Sequence, residues 1–442
     1  MAPAAPWSGT VLVVLWVCGV AYSWWSCGLI GDGSYYLLDA VTVGPYKAIV
    51  HERAVPNLLA QLPLAAAIAA GVTDLHWLAR LQSLGWFALP AILYSLAVLR
   101  TRRDPLHQAC VVVAIAIVFM TSSFLIVAEH VTAYAIATMA AAWIVSARRV
   151  PLGDGIVLLV LAAMSTLSHE VFVYLGPLLA AMTVWAVWRA PIRSSVAVAT
   201  YLAAAAVFVL SAVLAWRAIT TFEDQAYFAS ASSEAWDFWK NPAFDLASVA
   251  ALVIAGFALG RPADLATVRP WILVAPLLLA LVLLPLLVLT SGYYFGPPFA
   301  YSQNITRFAA GPVLLAIILF MWRHASDGGI RPPAPRRLLS FAGLLFLATL
   351  PWNATLAVLF ASYLHEVKAA IDGRPGVIAY EDTGLSTKPR LLQGETWSLP
   401  LTSAILRKSA ADGVIAPPRG YTGFLPYAAT DLPSLGPYRW KE

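Results

Sequence analysis

Nineteen consecutive residues from Trp271 to Leu289 (WILVAPLLLALVLLPLLVL) carry no charge and only apolar side chains. That length crosses a hydrocarbon core about 30 Å thick, which takes about 20 residues of helix. Lipid offers the backbone no hydrogen-bond partners, so such a run must be helical, and the alternating pattern of a membrane barrel is absent. The rest of the chain agrees with this run. With 60% hydrophobic and 12% charged residues, the 442-residue sequence holds more apolar surface than a soluble core can hide.

The stretch from about Trp7 to Cys27 lacks a basic n-region and a small-residue cleavage site, and reads as a retained signal anchor and first span. Cys18, Cys27 and Cys110 are scattered among apolar segments, which argues against a disulfide framework or a metal knuckle. Five basic clusters order the remaining spans, because short loops rich in Lys and Arg stay in the cytoplasm. They are Arg100 to Arg103, Arg148 with Arg149, Arg189 with Arg193, Arg261 with Arg269, and Arg323 through Arg337. Placing all five inside gives about 11 spans: residues 8–28, 77–99, 106–122, 131–147, 155–168, 170–188, 195–216, 246–260, 271–290, 308–322 and 339–361. Residues 57–72 are too short to cross and are interrupted by Pro63, so they are expected as a helix at the outer interface.

This topology separates the charges. The cytoplasmic loops hold 13 basic and 4 acidic residues, the outer loops 6 and 11, and the tail after Tyr363 another 9 and 8. A net charge of +5 therefore reflects the positive-inside bias and gives no argument for nucleic acid. No charge falls at the middle of an expected span and no internal repeat is visible, features that a transporter would usually show. Low Lys against Arg, 6 to 22, together with abundant Ala and Leu, points to a GC-rich bacterial genome and hence to an inner membrane with a periplasmic outer face.

The first outer loop, residues 28–76, places Asp32 in a Gly-Asp-Gly turn directly after the first span, followed by Tyr35, Tyr36 and an amphipathic stretch. Glycine on each side lets the backbone turn sharply and present the carboxylate. The alternative role for Asp32 is to cap the following helix. Glu129-His130 and His169-Glu170 fall at outer helix ends, on the same side as Asp32. Such side chains can hold a divalent cation or orient a hydroxyl. Their spacing follows no metal-ligand pattern, so no ligand set is assigned and a divalent metal stays an option. Arg307, beside Asn304 and Thr306 at the mouth of the tenth span, is the best outer cation for a phosphate, although an interfacial Arg also snorkels to headgroups. Lys47, Arg53, Arg80 and Arg217 are its rivals. Residues 217–245 mix carboxylates with Trp and Tyr, as an interfacial lid does.

The order of a first span, an Asp-bearing outer loop with surface helices, a second span beginning Trp77-Leu78-Ala79-Arg80-Leu81-Gln82-Ser83, and a basic turn at Arg100 to Arg103 resembles the C-type (GT-C fold) glycosyltransferases. Asp32-Gly33-Ser34-Tyr35-Tyr36 is similar to the acidic, small and aromatic residues common there. The likeness is one of arrangement over about the first 190 residues, and the paired Asp-Asp or Asp-Glu of several families is absent.

The residues predict an all-α polytopic membrane protein with a transmembrane unit, 1–362, and, from β-like runs at 377–380 and 414–416 around a helix near 401–411, a small α+β outer segment, 363–442, packed on the outer loops. The resemblance implies inverting transfer of a sugar from a polyprenyl-phosphate donor to a lipid, glycan or protein acceptor on the non-cytoplasmic face. Asp32 would be the general base, Glu129, His130 and His169 would assist, and Arg307, Tyr35, Glu170 and Asn304 would bind substrate. The alternatives are a lipid-linked polysaccharide polymerase or ligase, a transporter or flippase of a lipid-linked sugar, and a non-catalytic assembly partner.

Overall fold

A computed structural model describes residues 7–46, 53–147, 149–191, 194–221, 235–260, 267–291, 306–326, 335–385, 397–409, 411–421 and 425–441. Asn304, Lys47 and residues 222–234 of the expected lid lie outside these residues. Almost everything described is helix: α1 (Trp7–Trp24), α2 (Asp32–Thr42), α3 (Ala54–Ala60), α4 (Leu62–Ala69), α5 (Leu75–Thr101), α6 (Pro105–Ala114), α7 (Glu129–Ser146), α8 (Leu152–Ser165), α9 (Phe172–Arg189), α10 (Ser195–Thr221), α11 (Pro242–Gly260), α12 (Arg269–Ser291), α13 (Arg307–Ser326), α14 (Pro335–Ile371) and α15 (Leu399–Ile405). The strands β1 (Val377–Ile378) and β2 (Val414–Ile415) pair in parallel.

Among the described residues eight helices are long and apolar enough to cross a membrane: α1, α5 and α9 through α14. Large side chains on their outer surfaces are bare, among them Leu252 at 70% and Ile272 at 65% exposure. Such a surface is stable only against an apolar solvent, so the chain is an all-α polytopic membrane protein. Pro90, Pro177, Pro276, Pro285, Pro312 and Pro351 all lie inside helices, which membrane helices tolerate because neighbours re-satisfy the freed backbone groups.

Helix α7 occupies the centre, packing against α5, α8, α9 and α13, and nearly every residue from Glu129 to Val145 is buried. Its solvent is protein rather than lipid, and it can carry Glu129, His130, Thr132, Tyr134 and Thr138. The periphery is the reverse. Helix α12 has mean hydropathy 3.1 with 22% of its residues buried, against 1.5 and 61% for α5.

Named contacts define two ends of the bundle. At one end Arg100, near the end of α5, pairs with Asp154 in the first turn of α8. There too Arg189, the last residue of α9, donates to the carbonyl oxygens of Ala325 on α13 (2.7 Å) and Ala147 after α7 (3.2 Å). At the opposite end α2, α3 and α4 lie over the starts of α5 and α7.

The expected single helix at 57–72 is two helices, parted at Gln61 rather than at Pro63, which sits in the first turn of α4 where its missing N–H costs nothing. Helix α3 presses on α5 so closely that a Cβ on Gly85 would stand 1.9 Å from the Ala60 carbonyl oxygen. Helix α14 continues through residue 362 to Ile371. At 1.5 Å per residue its 37 residues span about 55 Å, well past a hydrocarbon core.

Its extension leads into the C-terminal segment, which folds back onto the first outer loop. Ser34 Oγ and Thr402 Oγ1 are 2.7 Å apart. The Tyr427 hydroxyl donates to Asp39 at 2.8 Å. Residues 439–441 join the backbone at Thr73 to Leu75, and the Trp440 ring stacks on His76 at 4.7 Å.

Since Gly85 has no room for a methyl group, Gly85→Ala should cost about 1–3 kcal/mol by forcing α3 off α5. The expected readout is a lowered Tm of the detergent-solubilised protein, whereas Gly153→Ala, with open space at its Cβ, should leave Tm unchanged.

Candidate functional site

The turn before α2 aims Asp32. Gly31 takes φ 50° and ψ −118°, a conformation side chains avoid. A Cβ on Gly33 would lie 1.8 Å from the Gly28 carbonyl oxygen. Helix α5 clamps this coil: Gln82 Nε2 donates to the carbonyl oxygens of Gly28 (3.1 Å) and Gly33 (2.6 Å), and the Gly28 N–H donates to Ser83 Oγ at 2.9 Å. The Gln82-Ser83 dipeptide of the second span thus holds the Asp32 turn in place.

Asp32 is the first residue of α2, and no side chain caps that helix. Among the described residues its carboxylate takes no hydrogen bond and no ion pair. It keeps exposed surface. Burial is the largest influence on its pKa and pushes it up; Glu129 adds to the rise while Arg53 and Arg307 oppose it, leaving it at about 7. Contact with solvent tempers that rise without reversing it.

The two other outer carboxylates are tied down. Glu129, at the start of α7, accepts from the Tyr36 hydroxyl and from Asn57 Nδ2, both at 2.8 Å. Its second oxygen faces the Arg53 guanidinium at 3.5 Å. Glu170, in the turn between α8 and α9, accepts from Arg53 Nη2 at 2.8 Å and Nε at 3.1 Å. Arg53 therefore bridges two nearly buried carboxylates, exposed by 2% at Glu129 and 13% at Glu170. Burial would raise the Glu170 pKa, but His169 and Arg53 outweigh it and hold the carboxyl at about 2. Arg53 responds in kind: burial disfavours its charge, and the two glutamates more than offset that, moving its pKa above the ordinary value.

His169 has both ring nitrogens engaged. Nδ1 accepts the Val171 N–H at 3.3 Å, which leaves the hydrogen of the neutral ring on Nε2, 3.2 Å from Glu170. Burial lowers its pKa, Glu170 counters, and Arg53 lowers it again, to about 4, so the ring is neutral at pH 7. The His130 ring meets His169 edge to face at 5.6 Å. His130 is 1% exposed, and among the described residues its Nε2 has no hydrogen-bond partner.

Arg307 opens α13 at the same end. The Tyr134 hydroxyl donates to its carbonyl oxygen, and its guanidinium lies over Phe308 at 4.9 Å. Among the described residues that guanidinium has no ion pair. Its charge is felt at Asp32 and His169, which places it in the same field. Tyr35 is half-buried, between Tyr36 and Tyr427.

Asp32, Glu129, His130, His169, Glu170, Arg307 and Tyr35, all singled out in the sequence, thus gather at one end of the bundle. The sequence reading set Arg53 aside and did not pick out Asn57 or the role of Tyr36. The available signal was spacing: Asn57 is one turn after Arg53, and its amide also donates to the Arg53 carbonyl at 3.3 Å. Arg80, another rival for phosphate, stacks between Trp24 and Trp77 at 3.9 and 4.9 Å. Among the described residues this cluster holds no three His, Cys, Asp or Glu ligand atoms within 4.8 Å of one another.

Among the described residues, the Asp32 carboxylate and the Arg307 guanidinium are thus left without a side-chain partner, while Arg53, Glu129 and Glu170 satisfy one another. Comparison with known proteins finds no matching family model, no matching curated protein and no matching solved structure.

Removing Arg53 would leave two desolvated carboxylates facing each other. Arg53→Ala should therefore cost on the order of 3 kcal/mol, seen as a fall in Tm. Adding Glu129→Gln should recover part of that loss, because one unpaired charge is removed.

Proposed function

We propose that this protein is a membrane glycosyltransferase of the GT-C type, moving a sugar from a polyprenyl-phosphate donor to a hydroxyl acceptor with inversion at the anomeric carbon. The observation that carries the reading is the pairing of an unpartnered Asp32 with an unpartnered Arg307 above the Arg53 cluster. In the reaction the acceptor oxygen attacks C1 of the sugar from the face opposite the phosphate. The C1–O bond to phosphate breaks, the acceptor proton passes to Asp32, and polyprenyl phosphate leaves with its electron pair. Asp32 suits the base role because its pKa near 7 lets it both take and release a proton near neutrality. Arg307 would hold the phosphate oxygens and stabilise the charge that gathers there. Glu129, Glu170 and His169 position Arg53 and the walls of the site, while His130 Nε2 is available to a substrate hydroxyl. Tyr35, and Asn304 outside the described residues, would contact the sugar.

The membrane arrangement is part of this proposal. Adding α6, α7 and α8 to the eight long apolar helices gives 11 spans, with Asp32 on the non-cytoplasmic face of a bacterial inner membrane. The resemblance of the first 190 residues to GT-C enzymes supports that placement, as does the gathering of Arg100, Arg102, Arg103 and Arg189 at the far end of the bundle.

Asp32→Asn should abolish sugar transfer from a radiolabelled polyprenyl-phosphate sugar in proteoliposomes. The folded state favours the protonated carboxyl, with a pKa about 7 against an ordinary 3.8. The penalty for ionising Asp32 therefore builds between about pH 3.8 and 7 and is complete above that, so at pH 8 the variant should show a Tm equal to or above wild type. Wild-type transfer by Asp32→Asn would remove the assignment, as would movement of intact lipid-linked sugar with no covalent change.

The same pKa sets the pH profile. Because the base must be ionised, kcat should climb with pH through a midpoint near 7 and level off above it. Arg307→Ala should raise KM for the donor, with Arg307→Lys intermediate, while leaving that midpoint within about one unit.

A further inference from the structure

At the far end of the bundle, Asp104 caps α6, its Oδ1 accepting the N–H groups of Leu106 (3.1 Å) and His107 (3.2 Å). Its other oxygen faces His107 Nδ1 at 3.1 Å. The opposite nitrogen of that ring, Nε2, lies 3.3 Å from the carbonyl oxygen of Met321 on α13. A carbonyl oxygen only accepts, so Nε2 donates to it and Nδ1 is the ring nitrogen turned toward the Asp104 carboxylate. His324, in the last turn of α13, brings its ring to 5.3 Å from that of His107. The ligand atoms of Asp104, His107 and His324 all lie within 4.8 Å of one another.

We infer that Asp104, His107 and His324 form a binding site for a divalent transition metal, zinc foremost, separate from the Asp32 site. Zinc takes imidazole nitrogen and carboxylate oxygen at about 2.0–2.2 Å, and in a tetrahedron two such ligands stand about 3.3 Å apart. The Asp104 and His107 atoms already meet that separation. A metal-bound His characteristically donates its second N–H to a backbone carbonyl, which fixes its tautomer, and Met321 supplies that carbonyl. His107 is 4% exposed, while Asp104 and His324 are partly exposed, so the site has two rigid ligands, one adjustable ligand and a fourth position open to water. Two imidazoles and one carboxylate favour zinc, copper or nickel over magnesium or calcium, which prefer all-oxygen shells.

The site joins the start of α6 to the end of α13. Arg307 stands at the other end of α13, 17 residues from His324 and so about 25 Å away along the axis. A metal there acts on the bundle and not on the transferred sugar.

The test uses the full chain in detergent, stripped with chelator and titrated with zinc against a chromophoric competitor. Wild type should bind one zinc per chain and show a raised Tm. His324→Ala and His324→Gln should weaken binding at least tenfold and lose the Tm rise, while keeping the metal-free Tm of wild type. His365→Ala, an exposed histidine elsewhere, should bind as wild type does. Failure of wild type to take up one equivalent would overturn the proposal and leave the Asp104 and His107 pair as a proton-bridged ion pair. Undiminished binding by both His324 variants would overturn it equally.

Discussion

The Arg53 guanidinium between Glu129 and Glu170 is the contact on which the outer end of this protein depends. Arg53 precedes α3, Glu129 begins the central helix α7, and Glu170 lies in the turn that starts α9, so one side chain ties together three elements. A carboxylate buried to 2% exposure is costly unless charge and hydrogen bonds compensate it. Here Tyr36 and Asn57 complete that compensation from α2 and α3. The network explains why two glutamates can sit at the ends of membrane helices. Both carboxylates are held in place by it through charge and hydrogen bonds.

Asp32 stands beside that network without joining it. The reason is backbone geometry. Gly31 adopts a conformation only glycine takes easily, Gly33 presses against Gly28, and Gln82 fastens both ends of the coil. With its backbone held from below, the carboxylate projects from the start of α2 and has no partner among the described side chains. Arg307 is the complementary case, anchored through its carbonyl by Tyr134 and leaving its guanidinium over Phe308. Two outer carboxylates are thus satisfied, while among the described residues the Asp32 carboxylate and the Arg307 guanidinium have no side-chain partner.

The same chain uses its solvent differently from helix to helix. Helix α12 is dominated by Leu, Val and Pro and leaves most of its surface bare, whereas α7 is buried in protein and contributes Glu129 and His130 to the cluster. Lipid rejects an unsatisfied polar group, so chemistry concentrates where helices shield one another. The two ends of α13 display this in miniature, with Arg307 at one terminus and His324 at the other, and apolar residues between.

Much of this was readable in the amino-acid sequence, because hydrophobic length, proline and glycine act locally. The apolar runs foretold where the long helices lie, although α14 runs ten residues past its expected end, and the Gly-Asp-Gly signal located the entry to α2. The short β-like runs near Val377 and Val414 could also be read from the chain, but not their parallel pairing. The break in residues 57–72 was misplaced because Pro63 looks like an interruption, whereas at the first turn of a helix it is a start. Arg53 could not be recognised from its neighbours, since its partners are 76 and 117 residues away. Likewise His107 and His324, 217 residues apart in number, become neighbours only when α6 and α13 pack. The sequence by itself determined which segments are helical and apolar, since those properties follow from each residue's own solvation and backbone freedom. Which charges are cancelled and which stay open was decided only by the tertiary structure, because cancellation depends on distance in space and on the burial that packing creates.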